Sequence, residues 1–265
     1  MYSLNQVKTL VSCGRDPTRS LPLWRGFLLI PLILVCFAFG QQAQAVCNDG
    51  CLSNFNTVQG DDALRSTAGV GNSAFGWRSL FFGLGNFNTA MGPSLVLNVG
   101  DSNTAVGAAA LLLNGDGTRN TAVGTDALVY SGFGVTGADF NGAFGAFALF
   151  TNSGGFSNNA FGDSALFANV NGADNTAVGD LALAFNDSDG AGMGNNNVAV
   201  GAGALVAADA STGNIDGSEN TAVGTGAGPN VVNGFNNTYI GNFVGTLSGA
   251  ESSTIRLGDV SNGNG

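Results

Sequence analysis

Histidine is absent from the 265 residues, lysine occurs once, as Lys8, and charged residues make up only 10% of the chain. Without an imidazole, Ser-His-Asp and Cys-His catalysis are excluded. Zinc loses its usual nitrogen ligand. A lysine nucleophile is excluded from the body of the chain, because Lys8 lies in a leader-like segment. Carboxylate pairs remain, and a glycosidase needs only two. Asp61-Asp62 and Asp187-Ser188-Asp189-Gly190 are the candidates, and both read as solvated turns. The second carries the start of a calcium loop without its later ligands. The expectation is a non-enzymatic chain with no cofactor and no metal.

What is present is glycine, 43 residues of it, alongside 44% hydrophobic residues. That much glycine is more than double ordinary usage of about 7%. The apolar content excludes a polar, disordered chain.

The first 45 residues differ from the rest. Lys8, Arg15, Arg19 and Arg25 precede the apolar run Phe27 to Phe39, and Ala43-Gln44-Ala45 follows. A basic start, a short apolar core and a small-x-small end form a secretory signal peptide. The alternative is an uncleaved anchor helix, but the run is shorter than the roughly 20 residues of a membrane span. Pro31 also interrupts it. The chain is therefore expected to be secreted or held at the cell surface.

Export bears on the cysteines. Cys47 and Cys51 follow the cut closely, and an oxidising compartment favours a small disulfide between them. Gln44-Ala45-Val46 is a poor lipobox. Past residue 45, four arginines (Arg65, Arg78, Arg119, Arg256) face seventeen acids, a net charge of −13. Such a surface repels nucleic acid and anionic membrane. Neither is expected as a partner of the repeat region.

The decisive feature is internal repetition. The unit Asn-x-Ala-apolar-Gly occurs nine times, from Asn72–Gly76 to Asn220–Gly224. Four copies typify it: Asn103, Ala105, Val106, Gly107; Asn120, Ala122, Val123, Gly124; Asn175, Ala177, Val178, Gly179; and Asn220, Ala222, Val223, Gly224. Asn237–Gly241 replaces Ala with Tyr239, and Thr254–Gly258 is a degenerate last copy. The basic spacing is 17 residues, lengthened by insertions at 130–140, 186–196 and 207–219. A second segment, mostly Gly-x-x-Ala-Leu, follows each unit.

Two short segments and two turns per period predict an all-β fold, a parallel β-roll or β-solenoid of about ten two-strand coils. The expected organisation is a leader over 1–45, a lead-in over 46–65, coils over 66–258 and a tail over 259–265. Strand alternation puts Thr and Val of NTAVG on one face and Asn, Ala and Gly on the other. The apolar ladder from Phe75 through Val123 and Val178 to Ile240 is expected inside. The alanine face is expected to allow close approach of another subunit. Phe75, Phe144 and Phe161 are expected in the core, and Phe133, Phe140, Phe156 and Phe235 in turns.

The units Asn103–Gly107 through Asn237–Gly241 resemble the head repeats of trimeric autotransporter adhesins. They are also similar to repeats in phage tail-fibre and surface proteins that carry an intramolecular chaperone domain. The resemblance covers roughly residues 66–258 and implies a left-handed roll, a homotrimer and a role in attachment to cells, matrix or other surfaces. Its ligand would be an extracellular protein or glycan. The period here is longer than in adhesin heads. No heptad stalk, membrane barrel or chaperone-type domain is seen after the repeats, so an outer-membrane anchor would need a further C-terminal part. Two other functions stay open: a carbohydrate-active, tailspike-like fibre, and an ice-binding solenoid using the rank Thr89, Thr104, Thr121, Thr176, Thr221 and Thr238.

Overall fold

A computed structural model describes residues 50–258, apart from 68, 135, 207–216, 230 and 246–249. The expected leader, Cys47, the expected tail and most of the third insertion lie outside the described residues. The described part is all-β, a parallel β-solenoid of about eleven turns. No helix among the described residues is long and apolar enough to cross a membrane.

In chain order the strands are β1 (Gly50–Cys51), β2 (Thr57–Gln59), β3 (Ser66–Thr67), β4 (Ser73–Phe75), β5 (Phe82–Gly83) and β6 (Thr89–Met91). Next come β7 (Leu97–Asn98), β8 (Thr104–Val106), β9 (Leu113–Asn114), β10 (Thr121–Val123), β11 (Gly142–Phe144) and β12 (Asn159–Phe161). The last are β13 (Thr176–Val178), β14 (Val198–Val200), β15 (Thr221–Val223), β16 (Thr238–Ile240) and β17 (Ile255–Leu257). From β2 onward, each NTAVG-type strand pairs in parallel with its equivalent one coil away. Like residues meet, as in Ala105↔Ala122 and Val106↔Val123. β1 folds back antiparallel on β2. Asn56-Thr57-Val58-Gln59-Gly60 acts as a degenerate first copy, so the solenoid takes in part of the lead-in.

The second segment forms its own parallel sheet, β3-β5-β7-β9, over the first coils. Further along it continues as turns. Inter-coil bonding persists there, with Leu128 N–H donating to Ala148 O at 2.9 Å and Leu183 N–H to Ala204 O at 2.9 Å.

The core differs from the expected one. Ala74, Ala90, Ala105, Ala122, Ala143, Ala160, Ala177, Ala199 and Ala222 are fully buried. The leucines of the second segment, Leu80 to Leu205, are buried with them. The expected inner ladder faces outward instead: Val123, Val178 and Val223 are 37%, 38% and 39% exposed. Phe75 and Phe144 are half-buried, and Phe161 is exposed. The two-face alternation is observed, but the Asn-Ala side is the inner one. The reason is steric: one large and one small side chain fill the space between the two walls of a thin coil. Leu comes from the second segment and Ala from the first, so no room is left for a Val ladder. The alanine face therefore lines the chain's own core and is not available as a subunit contact.

Each core leucine pays a backbone cost. Leu80, Leu95, Leu111, Leu128, Leu149, Leu166, Leu183 and Leu205 have φ between +49° and +54°. The left-handed conformation costs roughly 1–2 kcal/mol per residue. Burial of a whole Leu side chain contributes about 1.5–3 kcal/mol, enough to offset it.

The last coils solve the same packing problem differently. Tyr239 stands at the Ala position and Gly228 at the Leu position, so the large and small residues trade walls. A Cβ on Gly228 would lie 3.0 Å from the Tyr239 ring and 2.7 Å from Leu205.

Candidate interaction surface

Asparagine holds the coils in register. The side chains of Asn103, Asn120, Asn175 and Asn220 are buried, as are those of the equivalent residues in the other coils. In each coil the Oδ1 accepts the backbone N–H of the equivalent residue in the next coil, at 2.7–3.1 Å. The Nδ2 donates to a carbonyl three residues before that residue, at 2.6–3.1 Å. A buried amide left unpaired would cost about 1–3 kcal/mol per group; here each is bonded on both sides. A second asparagine ladder runs through Asn98 and Asn114, then Asn152, Asn169 and Asn186. Sequence reading missed it because Gly83 and Ser131 interrupt its spacing.

Gly107, Gly124, Gly179 and Gly224 form a column at the strand ends with φ of +130° to +140°. A Cβ on Gly124 would lie 2.4 Å from the carbonyl oxygen of Gly145. Conformation and coil spacing both demand glycine at this position.

With Asn and Ala turned inward, the outward side of the strand column carries two parallel ranks. One runs Ser73, Thr89, Thr104, Thr121, Gly142, Asn159, Thr176, Val198, Thr221 and Thr238. The other runs Phe75, Met91, Val106, Val123, Phe144, Phe161, Val178, Val200, Val223 and Ile240. Neighbouring strands in such a sheet lie about 4.8 Å apart. Phe144 and Phe161 stack at 4.7 Å with rings 1° from parallel. No charged side chain occurs in either rank, in a region whose net charge is −13.

Other predicted groups lie elsewhere. Cys51 is exposed on β1, and its expected partner Cys47 lies outside the described residues. Asp187 is buried, and its carboxylate accepts from the N–H groups of Asn171, Gly192 and Met193 at 2.6–3.1 Å. Its oxygens tie the second insertion to the preceding coil. No group of three or more His, Cys, Asp or Glu side chains placed to hold a metal occurs among the described residues. The second insertion borders an open groove lined by Gly192, Met193, Asn195, Ser218, Asn233 and Phe235.

At the far end, Arg256 occupies the inward position of β17. Glu251 accepts from it twice, at 2.8 and 3.0 Å. That hydrogen-bonded pairing holds the Arg256 guanidinium above its ordinary pKa. Burial pushes the neighbouring Tyr239 phenol up as well. Its hydroxyl has no hydrogen-bond partner.

Comparison with family models, with curated proteins and with solved structures finds no match to this chain.

Proposed function

We propose that this chain is an exported structural and adhesive surface protein, a fibre or adhesin-head segment that attaches to cells, matrix or other surfaces. In this reading it assembles as a homotrimer through the outward strand face. One observation carries the assembly: a continuous, regular and uncharged face with exposed Val, Phe, Met and Ile, on a strongly acidic chain. Large exposed apolar patches mark interaction sites. A strip without charge offers identical acidic copies a contact free of mutual repulsion. The leader-like first 45 residues support export, and the repeat resemblance supports attachment.

Light scattering on the purified chain tests the assembly. Three chains per particle are expected, and Val123→Asp should return the particle to one. A monomer at all concentrations would end the trimer reading. A thermal-hysteresis assay separates the ice-binding alternative. No hysteresis is expected, because Gly142, Asn159 and Val198 break the threonine rank.

A further inference from the structure

The first coils carry a cluster that does not recur among the described residues. Trp77, the only tryptophan among the described residues, is 55% exposed. The Arg78 guanidinium lies 4.8 Å from the centre of its ring and 5.3 Å from that of Phe81. Arg65 approaches the same Phe81 ring at 5.5 Å, and Phe81 meets Phe82 edge-on at 4.5 Å. Asp62 sits between the two arginines, at 3.4 Å from Arg65 and 3.9 Å from Arg78. The equivalents of Trp77 in later coils are Pro, Ala, Thr, Asp or Asn, from Pro93 through Asp163 and Asp180 to Asn242. The repeat itself therefore does not call for an aromatic there.

We infer that this cluster is a binding platform for a neutral polysaccharide. Three features select that chemistry. Arg65 and Arg78 are balanced by Asp61 and Asp62, so the patch has no net charge and favours neither an anion nor a cation. A half-exposed indole offers a flat, polarizable surface to the C–H face of a sugar ring. Around it stand guanidinium donors and a carboxylate acceptor, the pairing that ring hydroxyls require. Cation–π contact with Arg78 restricts the indole, which lowers the ordering cost of binding. The platform is open, so it suits a chain lying across it more than an enclosed small molecule. The rival occupant is a protein surface, since Trp and Arg also dominate protein–protein hot spots.

This inference deepens the attachment reading by naming a ligand class. Its test leaves the trimer question separate. The full chain contains two tryptophans, Trp24 and Trp77. In the full chain carrying Trp24→Phe, tryptophan emission reports on Trp77 alone. Titration with cellohexaose, and separately with soluble α-mannan, is expected to shift or quench that emission saturably with at least one probe. In the native background, Trp77→Ala should weaken retention on the same glycan at least tenfold, and Trp77→Phe should weaken it less. Circular dichroism and particle mass should be unchanged in both. Two outcomes overturn the proposal: no spectral response to either glycan, or equal retention of Trp77→Ala. A blue shift that depends on protein concentration without sugar overturns it too, and assigns the platform to protein contact. A glycan response in a monomeric chain would sink the trimer and leave the platform standing.

Discussion

The inward and outward sides of the same strand column are made of similar short segments yet follow opposite rules. Inward, every alanine of the repeat from Ala74 to Ala222 is fully buried, and the ladder asparagines are at most 2% exposed. Outward, identity drifts: Thr gives way to Ser, Gly, Asn and Val in one rank, and Val to Phe, Met and Ile in the other. The inside is governed by volume and by the two-sided amide bonds of the first asparagine ladder. The outside is governed only by the absence of charge. Hydrophobicity alone thus points to the wrong side, because a polar Asn with every bond satisfied is a better lining here than Val.

Substitutions can sharpen or break this contrast. The largest effect is expected at the glycine column that borders both sides. Gly124→Val combines a forbidden φ with a clash against Gly145, and should cost more than about 4 kcal/mol, read as loss of cooperative melting. Inside, Leu128→Ala should cost about 3 kcal/mol in chemical denaturation. Asn120→Ala, which strands the Asn141 N–H and leaves the Ala138 carbonyl with only the Ser131 hydroxyl at 3.4 Å, should cost about 2 kcal/mol by the same measurement. Stability is close to one-dimensional in such folds, so the damage should spread to neighbouring coils before the ends. Outside, Val123→Asp should change the stability of a single chain by no more than about 0.5 kcal/mol. A loss as large as that of Leu128→Ala would show that the two sides have been confused.

The smallest effect is expected at Tyr239. Its folded-state pKa lies above the ordinary value of about 10. Above that pH the unfolded chain ionises first and binds fewer protons than the folded one, so stability falls as pH rises. Tyr239→Phe should remove this alkaline sensitivity and leave the neutral-pH melting point equal or higher, since it deletes a buried hydroxyl without a partner.

Much of the architecture was legible. The period, the parallel register, the pairing of like residues and the place of the first two insertions all follow from the spacing of Asn-x-Ala-apolar-Gly. The side of the strand that is buried was not legible, because alternation defines two faces without ranking them. The decision lies in the second segment, where Leu takes a left-handed conformation that its residue type disfavours. The Trp77 platform was equally hidden. Asp62, Arg65, Arg78 and Phe81 become neighbours only when one coil stacks on the next, and no spacing within a repeat announces that.

The asparagine ladder measures the chain in coils rather than in residues. Each amide touches the next coil at the equivalent residue and just before it, and is indifferent to what the chain does in between. The spacing from Asn103 to Asn120 is 17 residues and from Asn197 to Asn220 is 23, yet the amide bonds are alike, at 2.9 and 2.9 Å. A doubled loop costs only about 0.6 kcal/mol in closure entropy. The turns after the second segment are thus open ground for variation: sequence can be added there, by evolution or by grafting a foreign peptide, while the count below keeps time.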